Sequence, residues 1–512
     1  ELPYFLTLPG YNFFWFRLQA APSPITAQRL AETTSSADDI KEHLPAFFMG
    51  VAWDTLLEGN VRTLIERESL VPFLQRQRWF GGKARAIRAA RFLDWGLLRK
   101  GADPIFATIV EVDYEDGGRE RYLLPLTIVA GAEAEAIIST APQAALARVT
   151  GARKGLIVDS AADDRSAQAL LEAFDRDDSF PTKRGIVRPR RTSAYGELRG
   201  AGALALRRLS AEQSNTSLVF GHRLVVKLFR RVESGPNPDV EIGEHLTTHT
   251  AFRRAPLVAG WLEYESAGEP IAHLAVAQQF VPSQADGWSH ALSQVGRFFE
   301  EAEHRAVLPP MAASARHLFD LAKLPTPQVV CDLTGAYIDS AALLGRRTAE
   351  LHLALSSDTR SESFAPEPFT SDDVSRLLAD ATGQARHATT LLDAAGSRLG
   401  SAFGPARDAV ERAAGKLHAL HEAHRASPLE FTASRTRVHG DYHLGQVLWS
   451  ESDFYLLDFE GEPARPLEQR RLKESPLKDV AGMLRSFSYA AYAALLTHNL
   501  GTWTDFERLD PW

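Results

Sequence analysis

The chain has 512 residues, 45% hydrophobic and 24% charged, enough ordinary globular sequence for two to four domains. Its formal net charge of −8 excludes a sequence-wide basic field, so no nucleic-acid partner is expected. A single cysteine, Cys331, excludes an intrachain disulfide and a cysteine metal cluster and fits a reducing cytoplasm. No apolar run reaches spanning length, so no membrane partner is expected.

Residues 1–18 (ELPYFLTLPGYNFFWFRL) are two strand-like runs around Pro9-Gly10, a hairpin signal. They lack the basic start of a signal peptide. Residues 19–50 are rich in Ala, Pro, Ser and Thr and read as a linker. The absence of Met at position 1 and the abrupt end at Trp512 suggest a piece of a longer polypeptide. From Val51 to about Pro104 the pattern turns helical, with Val61, Leu64, Ile65, Glu68 and Phe73 at helical spacing. Trp79-Phe80-Gly81-Gly82-Lys83 reads as a turn with buried aromatics, since it lacks the GxxxxGK[ST] pattern. Phe106–Val112 and Arg121–Ile128 read as strands around the hairpin turn Asp116-Gly117-Gly118, and Ala167–Phe174 as a helix. The arginine-dense stretch 183–191 carries no interleaved aromatics and reads as a solvated connection.

Between residues 195 and 285 the polar segment Ala211–Ser217 joins two strands, and Arg223–Phe229 (RLVVKLF) follows as another. Hydroxyls and backbone N–H groups of Ser214, Asn215, Thr216 and Ser217 could cradle phosphates without glycines. Lys227 sits in an apolar strand, from which its ammonium would reach the phosphates. The next helix opens at Asn237-Pro238, a cap followed by proline at the first helical position. Glu241 and Glu244 lie on its first turns; one of them should pair with Lys227, and Glu241 is favoured. His273–Val281 is a buried strand ending at Pro282. Residues 286–437 are mostly helical, with His352 on Ala342–Ala354 read as structural.

Val438–Pro463 (VHGDYHLGQVLWSESDFYLLDFEGEP) carries the chemistry. Its loop holds Asp441 and, five residues later, the amide of Gln446. A hairpin with a polar turn at Ser450–Asp453 then delivers Asp458. Two carboxylates and an amide at one end of a hairpin suit phosphoryl transfer: one carboxylate accepts the proton of an attacking hydroxyl, and the others hold Mg²⁺ against nucleotide phosphates. Val480–Leu500 reads as a core helix.

This loop resembles the HGDxHxxN catalytic loop of the aminoglycoside phosphotransferase and choline kinase superfamily, with Gln446 where Asn is usual. The phrases EQSNTSLVFG, VKLFRR, NPDVEI, HGDYHLGQVLW and DFEGEPARPLEQRRLKESPLKDVAGMLRSF together resemble maltokinase, a family in which Gln commonly stands at that position. The resemblance implies an α+β, bilobal protein-kinase-like fold, with an N-terminal cap and intermediate region at 51–194, an N-lobe at 195–285 and a C-lobe at 286–512 truncated at its end. It implies ATP and Mg²⁺ as cofactors, maltose as acceptor and maltose 1-phosphate as a product feeding α-glucan synthesis. Asp441 would be catalytic, Gln446 and Asp458 would hold metal, and Gln279 and Val281 would lie at the adenine hinge. Tyr442, His443, Glu460 and Arg465 are candidates for the sugar site, and Glu460 and Arg465 could equally form an ion pair. Residues 1–18 resemble the last strands of trehalose synthase, which implies a fused or associated trehalose synthase as partner. Two alternatives stay open: a kinase of an aminoglycoside or aminoalcohol, or a nucleotide-binding pseudokinase scaffold.

Overall fold

In the computed structural model, residues 40–497 are described except 42, 51, 210–213, 304–317, 397–402 and 429–431. The trehalose synthase-like tail and most of the linker therefore lie outside the described residues. The described chain falls into two compact units, Pro366–Arg435 and the remainder.

The larger unit begins with a seven-stranded sheet. Its strands are β1 (Ala46–Met49), β2 (Ile87–Arg99), β3 (Ile105–Tyr114), β4 (Arg119–Leu123), β5 (Leu126–Val129), β6 (Ala145–Gly151) and β7 (Gly155–Asp159). The order is β1-β6-β7-β5-β3-β2, with β4 beside β3. Residues 46–49, expected within the linker, instead pair in parallel with β6. Phe48 faces outward there while Phe47 and Met49 enter the core, the period-two alternation of a strand. Strand β3 is apolar on both faces because Phe106, Val110 and Val112 enter one core and Ile109 another. Helices α1 (Asn60–Glu68) and α2 (Leu70–Arg76) cover the first core with Ile65, Phe73 and Leu74. The Trp79–Lys83 phrase is the expected turn: Phe80 is buried, and a Cβ on Gly82 would strike the Tyr114 hydroxyl.

A second seven-stranded sheet follows. It contains β8 (Phe180–Pro181), β9 (Gly185–Arg191), β10 (Leu206–Arg208), β11 (Asn215–Phe220), β12 (Leu224–Phe229), β13 (Val258–Ser266) and β14 (Ala272–Gln279), in the order β10-β11-β12-β14-β13-β9-β8. The arginines at 188 and 190 pair with Glu265 and Glu263 across β9 and β13, so that basic stretch is a strand with paired charges. Helix α3 (Pro238–His249) starts as its cap residues dictate, with the Asn237 side chain accepting from the Asp239 amide at 2.8 Å.

A three-stranded sheet, β15 (Ala285–Asp286) with β18 (Val447–Ser450) and β19 (Asp453–Leu456), carries the 438–463 segment. Helices α4 (Gly287–Glu303), α5 (Tyr337–Leu355) and α8 (Leu477–Thr497) pack around it; Leu344, Leu351, Tyr442, Val447, Phe454 and Met483 share one core. No helix of the described residues is long and apolar enough to cross a membrane. The smaller unit is a helical hairpin, α6 (Ser371–Ala395) and α7 (Phe403–Ala426), closed by the strand pair β16 (Glu367–Pro368) and β17 (Ser434–Arg435). A capping box between Thr370 and Asp373 starts α6.

Candidate active site

The β18–β19 hairpin turns at Glu451 and Ser452, both at positive φ, the type I′ geometry that matches strand twist. Arg347 of α5 clamps the turn by donating to both oxygens of Asp453, at 2.9 and 2.7 Å. Two turns flank this rigid hairpin. The loop at 439–446 precedes β18 and the turn at 458–461 follows β19. They meet at Gly440 and Gly461, both at positive φ; a Cβ on Gly440 would lie 3.3 Å from the Gly461 Cα. That close approach brings the two aspartate turns together.

Asp458, itself at φ 63°, is embedded in charge. Its Oδ1 lies 2.5 Å from Lys227 Nζ, and its Oδ2 accepts from Gln446 Nε2 at 2.9 Å. Lys227 also pairs with Asp239 at 3.1 Å and Glu460 at 2.5 Å. Burial disfavours the ammonium, but Asp239, Asp458 and Glu460 outweigh it and hold Lys227 well above its ordinary range. Burial also works against the Asp458 charge; Lys227, His439 and the Gln446 amide reverse this and hold Asp458 below its ordinary value. For Glu460 burial prevails and raises it. One cation among three carboxylates leaves the cluster short of positive charge.

Asp441 is different. Among the described residues its carboxylate makes no ion pair. Burial raises its pKa; His443 and His439 oppose the rise, and Glu462 and Asp458 add to it. His443 accepts from the Gly445 amide at 3.0 Å, and burial lowers its pKa.

Several sequence expectations need correction. Lys227 pairs with Asp239, not with Glu241. These residues are two apart on α3, about 200° around the helix, so they face opposite ways. Asp239 also accepts from the Phe459 amide at 3.1 Å. Glu241 instead binds Arg437 at 2.8 Å and Arg471 at 2.9 Å. Burial opposes the Glu241 charge, yet the two guanidiniums bring its pKa down to about 2. Asn215, Thr216 and Ser217 lie in β11 rather than in a loop, with Ser217 opposite Lys227 in register. Asn215 donates to Glu460 at 2.7 Å, and Thr216 accepts from Arg230 at 2.8 Å. Ser214 is exposed at the strand's open end. Residues 210–213 of the expected cradle lie outside the described residues.

At the hinge, the Gln279 amide donates to Leu257 O at 2.8 Å and the Phe280 amide to Arg223 O at 2.8 Å, so these donors serve the sheet; Val281 is buried. Tyr442 points into the core, with its hydroxyl 2.9 Å from Thr348 Oγ1. Glu460 belongs to the Lys227 cluster. Arg465 pairs with Glu462 at 2.8 Å and Glu474 at 3.5 Å, not with Glu460.

Sequence reasoning missed Asp239, Glu462 and Asp479. Asp239 was legible: it is the acid directly after the Asn-Pro helix start, inside the capped first turn.

The donors available for a metal are hard oxygens. Asp239, Asp458 and Glu460 offer carboxylate oxygens within 4.8 Å of one another, and the Gln446 carboxamide reaches the same place, its Nε2 donating to Asp458 Oδ2 at 2.9 Å. Such a set suits Mg²⁺, and the Lys227 ammonium among them marks where positive charge is stabilised.

The fold and site define a class, a kinase-like α+β fold of two lobes preceded by a cap. Comparison narrows it. The family model described as the maltokinase N-terminal cap domain matches residues 73–163. The glucosamine kinase of Mycolicibacterium smegmatis is 26% identical over 361 residues, covering 70% of this chain and 75% of that protein. The glucosamine kinase of Streptacidiphilus jiangxiensis is 25% identical over 285 residues, 55% of this chain and 54% of that one. A crystal structure of a glucosamine kinase superposes with a TM-score of 0.54 at 19% identity, covering 88% of this chain and 85% of that chain. The structure of a glucosamine kinase with glucosamine, ADP and inorganic phosphate gives 0.52 at 18% identity, with the same coverage. The chain thus has the fold of these kinases and a cap of the maltokinase type.

Proposed function

We propose that the chain transfers the γ-phosphoryl group of ATP to a sugar hydroxyl, with maltose as acceptor and maltose 1-phosphate as product. The observation that carries this is the placing of Asp441, a carboxylate without an ion pair among the described residues, beside the Lys227–Asp458–Gln446 cluster through the Gly440–Gly461 contact. The maltokinase-type cap and the resemblance of the catalytic segment support maltose.

Asp441 holds the attacking hydroxyl and takes its proton as the oxygen–phosphorus bond forms; the bond to the β-phosphate oxygen breaks and ADP leaves with that electron pair. The raised pKa of Asp441 makes it a better proton acceptor than an ordinary aspartate. Lys227 attracts the nucleotide phosphates and is oriented by Asp239. Asp458 and the Gln446 carbonyl, with Glu460 beside them, would hold Mg²⁺, which supplies charge neutralisation on the phosphates when bound. Positioning and electrostatics supply most of the rate.

Glucosamine is a second acceptor reading. It is favoured by the relatives' printed activity and by Glu462, a carboxylate acting on Asp441. The Glu462–Arg465 ion pair offsets that charge and favours a neutral sugar. A fused trehalose synthase and a cytoplasmic location complete the proposal, in which the product enters α-glucan synthesis. The test is ADP release from Mg·ATP with maltose or glucosamine, with the phosphorylated position assigned by NMR. Maltose-dependent release supports the proposal; release with glucosamine alone transfers it to the second reading.

A further inference from the structure

We propose that Arg470 is a positioning residue that holds the two halves of the Lys227 cluster at their working distance. The nucleotide arm of this proposal rests on the phosphotransfer reading above.

The halves come from distant parts of the chain. Lys227 and Asp239 belong to β12 and α3, which the connector 230–237 joins. Asp458 and Glu460 belong to the turn after β19. Three carboxylates surround one ammonium and repel one another, so the cluster does not by itself fix how far apart its halves lie. One backbone donor crosses directly, from the Phe459 amide to Asp239 Oδ1 at 3.1 Å.

A short helix, Leu467–Arg470, also touches both halves. Its Leu467 and Arg470 are three apart and share a face. The Arg470 side chain is 4% exposed. Its Nη1 donates to the Glu460 carbonyl at 3.2 Å, and its Nη2 pairs with Glu233 of the connector. Its stem lies against Gly461, where a Cβ would come 3.4 Å from the Arg470 Cβ. Leu467 is buried, with its Cδ2 3.2 Å from where a Cβ on Gly235 would stand. The connector is fixed in turn to the second sheet, since the Gly235 amide donates to Ile271 O at 3.0 Å just before β14. Arg470 therefore ties the connector that delivers Asp239 to the turn that delivers Asp458. A guanidinium suits that place, because its fork presents separate N–H groups to a carboxylate and a carbonyl at a fixed spacing, which a lysine ammonium on a flexible stem does not.

Calorimetry of MgADP binding to the full chain tests this, with Arg470→Met, Arg470→Lys, Glu233→Ala and the double variant of Arg470→Met with Glu233→Ala. Arg470→Met and Glu233→Ala are each expected to weaken MgADP binding by about tenfold, the scale of a lost hydrogen bond to a charged group, while the sugar KM stays within about twofold. Arg470→Lys should fall between the wild type and Arg470→Met. The double variant should bind no more weakly than Arg470→Met alone, because both changes break one connection. Hydrogen exchange of the Phe459 amide is the readout that needs no nucleotide: it accelerates in every variant, since its bond to Asp239 spans the two halves. Wild-type MgADP affinity in both Arg470→Lys and Glu233→Ala, the variants that disturb the fold least, would overturn the proposal, as would losses that add in the double variant. If the wild-type protein binds no MgADP, the phosphotransfer reading falls by itself. The Phe459 exchange then decides the role of Arg470, with acceleration supporting it and its absence refuting it.

Discussion

Asp441 and Asp458 both sit in tight turns flanking one hairpin, and their surroundings treat them in opposite ways. Asp458 is gripped by its carboxylate: Lys227 takes one oxygen and Gln446 the other. Asp441 is held through its neighbours, with the Gly440 amide tied to Asp479 and the Tyr442 hydroxyl anchored at Thr348. Burial raises the pKa of Asp441, whereas Lys227 helps to hold Asp458 down. The contrast separates two jobs. In the proposed mechanism, the group that receives a proton is positioned without being neutralised, and the group that stays charged is positioned by the charges that keep it so.

The largest expected effect comes from the proton acceptor. Asp441→Asn should lower kcat by about 10²–10⁴, the size of a positioned acid–base contribution, with little change in unfolding by urea. Asp458 and its partners should behave the other way. Lys227→Met leaves Asp239, Asp458 and Glu460 without their cation, and breaking such a buried pair costs about 3–5 kcal/mol. Urea unfolding should show that loss, and calorimetry should show weakened nucleotide binding.

Glu241 gives a smaller and purely structural effect. Glu241→Gln weakens charged hydrogen bonds to Arg437 and Arg471, an effect of about 1.5–3 kcal/mol, and should leave the ATP KM within about twofold. If the variant instead raised the ATP KM strongly with unchanged stability, Glu241 would be acting on the nucleotide. Its pH dependence follows from the same pair. Glu241 sits at about 2 in the folded chain against 4.5 for an unperturbed glutamate, so the unfolded chain takes up the proton first. The stability it contributes is complete above about 4.5 and is lost as pH falls towards 2. In the Gln variant that part of the acid limb should vanish.

The smallest shift is in the rate profile. Because Asp441 is raised, the acid limb of kcat/KM should fall at a pH above the ordinary aspartate value of about 3.9. A limb at or below that value would show that burial does not govern Asp441.

The hairpin, the capped helix and the strand over Phe106–Val112 were legible because each depends on local signals: turn residues, a cap followed by proline, and an apolar run before a Gly-Gly turn; strand β2 (Ile87–Arg99) was not, because it lies in a stretch whose pattern reads as helical and is set by its pairing with β3. The partner of Lys227 was not. Choosing between Asp239 and Glu241 requires the rotation of α3 against β12, which is set by packing. Thr216 looked like a loop hydroxyl, yet β11 begins at Asn215 and the long-range contact with Arg230 claims it. Tyr442 sits beside Asp441 in sequence, but its side chain faces Thr348 in the core. Asp479 carried a faint signal, a polar–small–polar row at helical spacing on a largely apolar helix. Its meaning appears only when the loop is laid against it.

The central claim is that Asp441 accepts a proton from a sugar hydroxyl during phosphoryl transfer. The most direct measurement is single-turnover transfer from Mg·ATP to maltose, comparing the wild type with Asp441→Asn at matched nucleotide occupancy. The account predicts maltose 1-phosphate from the wild type and a rate lower by about 10²–10⁴ in the variant, with nucleotide affinity preserved. Transfer at the wild-type rate by the variant would contradict it.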